Sequence, residues 1–129
     1  MSEGNIVSNR APEPVGAFPH AKRVGELLFL SGIGPRTRGT NQIPGGIEMQ
    51  CRAVFENVRT VLEDAGSAWE KIVDVTVFLT NMKDDFAIYN ELYAEYFAGE
   101  GKPNPTRTTV EVNCLPTPIA IELKVIATV

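Results

Sequence analysis

Apolar positions recur along the chain with two different periods, and the period decides the element. In IEMQCRAVFENVRTVLEDAG, Val54, Val58, Val61, Leu62 and Ala65 fall on one helical face, flanked by Cys51 and Phe55. Gly66 stands where a left-handed cap would end the run, so the spacing predicts a helix of roughly five turns from Ile47. In VDVTVFLT the period drops to two. Val73, Val75, Val77 and Leu79 alternate with Asp74, Thr76 and Phe78, which predicts a strand. A second helix is expected from about Asp84, with a stripe of Phe86, Tyr89, Tyr93, Tyr96 and Phe97; Asp84 and Asp85 suit its positive end.

Both ends of the pattern read as hairpins. Residues 20–24 and the apolar run from Leu27 flank a Gly25-Glu26 turn, and the four consecutive apolar residues suggest a strand covered on both faces. RTRGTNQIPGG has no periodicity and is a loop, and SAWEKI is a short connection. After GEGKPNP come two strands, over about 108–113 and 119–129. The resulting order, β-β-α-β-α-β-β, predicts an α/β (α+β) class with a mixed sheet and both helices on one face. In the last strand Ile119, Ile121, Leu123, Val125, Ala127 and Val129 should meet the helices, whereas Ala120, Glu122, Lys124, Ile126 and Thr128 are mixed. If the last two strands pair as a hairpin, Arg107, Thr109, Glu122 and Lys124 share the face without helices. Ala120 and Ile126 among those polar groups favour covering that face with another subunit, which leaves clefts for ligands.

The 129 residues suffice for one domain, with residues 1–10 expected as a flexible leader. A formal charge of −4 disfavours nucleic acid and anionic membrane as partners. There is no apolar run of membrane length and no secretory pattern in MSEGNIVSNR, so a cytoplasmic protein is expected. Cys51 and Cys114 fit no C-x-x-C spacing and need no partner in a reducing compartment. One histidine, His20, argues against a His-based metal site, and the Gly-rich SGIGP lacks the spacing of a nucleotide loop, so neither metal nor cofactor is expected.

The candidate chemistry lies near the end of the chain. Arg107, after the rigid PNPT, is either a fork for a substrate carboxylate or a solvated surface group. Glu122, inside an apolar alternation, is either an exposed strand residue or, in a subunit cleft, a group that orients water and accepts its proton. Asn90 beside the aromatic stripe, Thr109 in its strand and His20 each have an equally simple structural account.

Four segments in order, APEPVGAFPHAKRVGELLFLSG, DFAIYNELYAEYF, PTRTTVEVNCLP and IAIELKVIA, resemble the Rid family of imine and enamine deaminases from about Ala11 onward. The resemblance implies a fold like that of trimeric chorismate mutase, a homotrimer and three active sites at its subunit interfaces. It also implies that Arg107 binds the substrate carboxylate, that Glu122 orients water, that the family's helix asparagine falls on Asn90 and joins them as a catalytic residue, and that Ser31 and Gly32 line the pocket. Two positions depart from the widespread 2-iminopropanoate and 2-iminobutanoate deaminases: the pocket tyrosine falls on Phe18, and the cysteine two residues after the arginine falls on Thr109. FPHAKR, SGIGPR, YNELY, RTTVEV and IELK look instead like the branch containing 2-aminomuconate deaminase. Such a dicarboxylate needs a second cation, for which Arg36 is the first candidate and Arg38 the looser one. The alternatives are broad 2-iminobutanoate/2-iminopropanoate deamination, and a non-catalytic binding or chaperone-like trimer.

Overall fold

A computed structural model describes residues 3–129. The first long apolar stripe folds as helix α1, Ile47–Asp64, burying Cys51, Val54, Phe55, Val58, Val61 and Leu62. Its end is set by Gly66 at φ +81°, with Gly66 N–H donating to the Glu63 carbonyl at 3.0 Å and Ser67 N–H to the Leu62 carbonyl at 2.8 Å. This is a Schellman arrangement, which satisfies two otherwise orphaned carbonyls. Helix α2, Met82–Phe97, starts two residues before the expected point because Asn81 caps it, accepting from Asp84 N–H at 3.2 Å. Tyr89, Leu92, Tyr93 and Phe97 are buried, whereas Phe86 stands 37% exposed.

Six strands form one mixed sheet: β1 Asn5–Ile6, β2 Ala21–Val24, β3 Leu27–Leu30, β4 Ile72–Leu79, β5 Thr106–Glu111 and β6 Ile121–Thr128. Their order across the sheet is β1-β2-β3-β6-β4-β5. One face carries both helices over a core of Leu28, Leu30, Val75, Val77, Leu79, Ile121, Leu123 and Val125. Phe55, Trp69, Tyr96 and Phe97 lock the two helices together, with Phe55 and Phe97 edge to face at 5.2 Å. Among the described residues no helix is long and apolar enough to cross a membrane.

The hairpin expected from the last two strands does not form. β6 lies between β3 and β4, antiparallel to both, while β5 pairs in parallel with the far side of β4. The reason is in the strands themselves. Every second residue of β6 from Ile121 is buried, which suits a strand flanked on both edges, whereas TRTTVE is exposed or half-buried and suits an edge. The change reverses the face of β5. Arg107 is opposite Val75 and Thr109 opposite Val77, so both share the helix-bearing side, while Glu122 is opposite Phe78 and Lys124 opposite Thr76 on the open side.

Two smaller departures have local causes. A register shift between Ile72 and Asp74 lets both Ile72 and Val75 point inward and leaves Val73, expected in the core, 42% exposed. Residues 5–10, expected as a leader, are tied to the domain: Asn5–Ile6 pairs with β2, and Ser8 is buried with its Oγ donating to Asp64 Oδ2 at 2.6 Å. Arg10 adds a fork on the same carboxylate, holding the Asp64 carboxyl below its usual range together with Ser8.

Candidate functional site

Glu122 sits on the open face of β6 in a shallow cleft, where Phe18, His20, Ser31, Gly32 and Arg36 also gather. Pro12, Pro14, Val15, Ile33 and Ile119 give it apolar walls. The bottom of the cleft is set by reciprocal backbone bonds of 2.9 Å between Ile33 and Leu123, which press the Ser31–Gly32 segment against β6. A Cβ on Gly32 would stand 2.6 Å from Glu122 Oε2, so glycine is required for the carboxylate to occupy this position. Burial raises the Glu122 carboxyl above its usual range, and the charge of Arg36 partly opposes that rise. Lys124, two residues on, donates to the Leu30 carbonyl, and its own burial lowers its ammonium.

The remaining cleft residues are held by the backbone around them. Ser31 Oγ donates to the Pro19 carbonyl at 2.7 Å, and Phe18 stands at the rim, 40% exposed. His20 has both ring nitrogens engaged: Nδ1 accepts from Ser8 N–H at 3.0 Å, and Nε2 lies 2.8 Å from the Pro12 carbonyl. That pattern fixes Nε2 as the donor and leaves no ring nitrogen free as a base. Arg36 donates to Asn41 Oδ1 and to the Glu13 carbonyl, each at 2.7 Å. Arg38 is spent on the Ala11 and Ser8 carbonyls.

A second cluster stands across the sheet, at the β5 edge. Arg107 donates to Asn90 Oδ1 at 2.8 Å, and its guanidinium lies 4.6 Å from the Tyr93 ring centre and 5.4 Å from that of Tyr89. Such a stack fixes a long side chain that would otherwise sample many rotamers. Thr109 Oγ1 and Tyr89 Oη share a 2.7 Å hydrogen bond. The Tyr93 hydroxyl is buried without a hydrogen-bond partner among the described residues, and burial pushes it up to about 12.

The sequence expectation of Arg107, Thr109, Glu122 and Lys124 on one face is thus corrected. One chain holds two separate groups: Glu122 with Ser31, Gly32, Phe18, His20 and Arg36, and Arg107 with Asn90 and Thr109. Tyr89 and Tyr93 belong to the aromatic stripe of α2, and their i, i+4 spacing beside Asn90 is the sequence sign of an aromatic platform. Asn57 carries no sign in the spacing of the α1 stripe, yet its Nδ2 donates to the Gly34 and Arg36 carbonyls, both at 2.9 Å, and so fixes the start of the Arg36 loop. Among the described residues no three His, Cys, Asp or Glu side chains gather in a way that could hold a metal ion.

The family model described as Endoribonuclease L-PSP matches residues 8–129. A RutC family protein of Pyrococcus horikoshii is 42% identical over 123 residues, covering 95% of this chain and 94% of its own length. The Escherichia coli protein named "Putative reactive intermediate deaminase TdcF" is 34% identical over 122 residues, 95% of this chain and 94% of its own. Its crystal structure with bound serine superposes with a TM-score of 0.90 over 97% of this chain and 98% of that one. A Rid family protein from Yersinia pestis gives 0.89 at 36% identity, over 97% and 98%. Sequence and fold therefore agree along almost the whole chain, which belongs to the endoribonuclease L-PSP family, the Rid family that includes the RutC and TdcF proteins.

Proposed function

We propose that the chain is a cofactor-independent hydrolase that deaminates imine and enamine carboxylates, working in the cytoplasm as a homotrimer whose sites lie between subunits. The observation that carries this reading is the division of complementary groups over two faces of one chain: a preorganised carboxylate fork at the β5 edge, and a buried carboxylate in an apolar cleft on the open face. Neither half suffices alone. When the β5 edge of one copy meets the open face of the next, Arg107 of the first approaches Glu122 of the second. The half-exposed Phe78, Ile126 and Phe29 of the open face are covered by the same step. Cys51 and Cys114 are free, as a reducing compartment requires.

In the mechanism that follows, Arg107 binds the carboxylate next to the C=N carbon and fixes the angle of approach. Glu122 takes a proton from water as its oxygen bonds to that carbon, giving a carbinolamine. Glu122 returns that proton to nitrogen and then takes the proton of the carbinolamine hydroxyl as C=O forms and the C–N bond breaks, so that oxo acid and ammonia leave. A carboxyl raised by burial suits both accepting and returning a proton. Phe18 has no hydroxyl to contribute, and Thr109 supplies no thiolate. The substrate proposed is an unsaturated, 2-aminomuconate-like amino acid, in keeping with the apolar walls of the cleft; simple 2-imino acids are the broader alternative. A nuclease role, which the family description names, finds little support in a net charge of −4.

Mixing subunits tests the reading directly. R107A and E122A should each lose ammonia release, and co-refolding the two inactive variants should restore part of it, because some interfaces then carry both native groups. No recovery in verified mixed trimers would place both groups in one chain's site. Ligand binding by the wild type without ammonia release would instead support the binding-only alternative that the serine complex of TdcF suggests.

A further inference from the structure

We infer that Asn57 is a positioning residue for the reaction: from α1, its side-chain amide holds the stretch of backbone that presents Arg36 to the cleft of Glu122. The inference rests on the deaminase reading above, in which Glu122 activates water. Arg36 has no free fork for a second substrate carboxylate, the task the sequence suggests for it, because Asn41 Oδ1 and the Glu13 carbonyl take its two terminal nitrogens at 2.7 Å. What it brings to the cleft is a fixed positive charge. The other groups near Glu122 are committed: Lys124 of β6 donates to the Leu30 carbonyl, and both ring nitrogens of His20, beside β2, are engaged. From β4 the neighbour is the uncharged Phe78, and Arg107 of the next copy is taken up by the substrate carboxylate. Arg36 is the charge that opposes the upward push of burial on the Glu122 carboxyl.

The place of that charge depends on an irregular segment, since residues 34–46 form no helix or strand. Pro35 has no N–H to donate, and the side-chain bonds of Arg36 run to Asn41 of the same loop and to Glu13, neither of which lies in a helix or strand. Asn57 supplies the anchor. Its Nδ2 carries two N–H donors, and they go to the carbonyls on either side of Pro35, those of Gly34 and Arg36, both at 2.9 Å. About two turns earlier on the same helix, the buried Gln50 ties the far end of the loop. Gln50 Nε2 donates to the Pro44 carbonyl at 3.0 Å, while its Oε1 accepts from Ala120 N–H at 2.8 Å, just before the strand that bears Glu122. One helix thus sets both the Arg36 loop and the start of β6, and Asn57 is the member of the pair that holds Arg36 itself.

The test follows Glu122 itself. NMR of carboxyl carbons in the isotope-labelled chain gives its titration midpoint, assigned by the signal that E122Q lacks, and the acid limb of kcat/KM for ammonia release reports the same group under turnover. N57L keeps the size of the amide without its donors. It should move both midpoints upward, in the direction of R36Q, and N57Q, which keeps the donors, should return part of the shift. Loss of an anchoring hydrogen bond lowers the unfolding temperature whether or not Asn57 places Arg36, so the midpoint decides and stability does not. In an R36Q background N57L should add no further shift, because Asn57 acts on Glu122 through Arg36. A midpoint unmoved by N57L, or moved equally with and without Arg36, overturns the inference. If N57L does not fold, N57S decides by the same two results, since its shorter hydroxyl cannot serve both carbonyls. Absence of ammonia release rejects the deaminase reading, yet the NMR midpoint still decides whether Asn57 places Arg36. Ammonia release with an N57L midpoint equal to wild type keeps that reading and rejects the inference.

Discussion

Replacing Gly32 with alanine should damage the reaction and spare the fold. The added Cβ would stand 2.6 Å from Glu122 Oε2, 3.0 Å from Cδ and 3.6 Å from Cγ. Taking 3.4 Å as the nearest ordinary contact, the carboxylate must retreat by about 0.8 Å. The obstacle is the far end of a flexible side chain, and Gly32 does not occupy a left-handed conformation, so the backbone has no reason to move. Misplacing a catalytic group by about 1 Å can cost about 100-fold in rate. Stability should stay within about 1 kcal/mol, since alanine also reduces the freedom of the unfolded chain by about 0.4–1 kcal/mol. The assay is ammonia release from a 2-imino acid formed in situ, alongside thermal unfolding. In an E122Q background, where the proton acceptor is already gone, G32A should cost less than about threefold, because both changes act through one carboxylate. A full 100-fold loss in that background, or wild-type turnover in G32A alone, would refute the argument.

E122Q removes a carboxylate whose ionisation the folded state opposes. A raised folded-state value means a stability contribution present below the unfolded value and lost as pH rises through the folded one; E122Q should therefore unfold at a higher temperature than wild type at neutral pH, and the difference should vanish under acid conditions. The acid limb of kcat/KM should lie above the usual carboxylate range, and R36Q should move it higher still by removing the opposing charge; pH–rate profiles check both shifts. S8A strips the buried partner of Asp64, Arg10 N–H and Ala11 N–H and should cost about 1–3 kcal/mol in denaturant unfolding. T109V leaves the buried Tyr89 hydroxyl without its partner and should lower stability by about 1–3 kcal/mol while raising KM through the loosened Arg107 platform.

The helices and the middle strand were legible because each carries its own period: α1 from Val54 to Leu62, β4 from Val75 to Leu79. What was not legible is partnership. TRTTVE and IELKVIAT follow one another in sequence, and nothing local says that the second strand will pass over its neighbour to lie between β3 and β4. The unbroken inward row Ile121, Leu123, Val125 and Ala127 of β6, set against the polar TRTTVE of β5, is the sign of which strand lies inside the sheet, but by spacing alone it states only a face. Assigning a hairpin then fixed the wrong parity for Arg107. Glu122, by contrast, lies on the expected face, because that face depends on the alternation within β6 alone. The Asn57 and Asn41 contacts that shape Arg36 join distant segments, and no spacing announces them.

The central position of β6 has a temporal consequence. Leu28 pairs beside Ala127, partners separated by about a hundred residues. Until residues 121–128 leave the ribosome, β3 and β4 each present a bare edge, and the core beneath α1 and α2 lacks Leu123 and Val125. The sheet therefore closes late, by long-range contacts of the kind that slow folding, with unpaired edges exposed to other nascent chains in the meantime. Glu122 rides on this same strand. A growing chain acquires the carboxylate proposed to activate water in the step that completes its sheet, so on that proposal an unfinished molecule can collapse but cannot act.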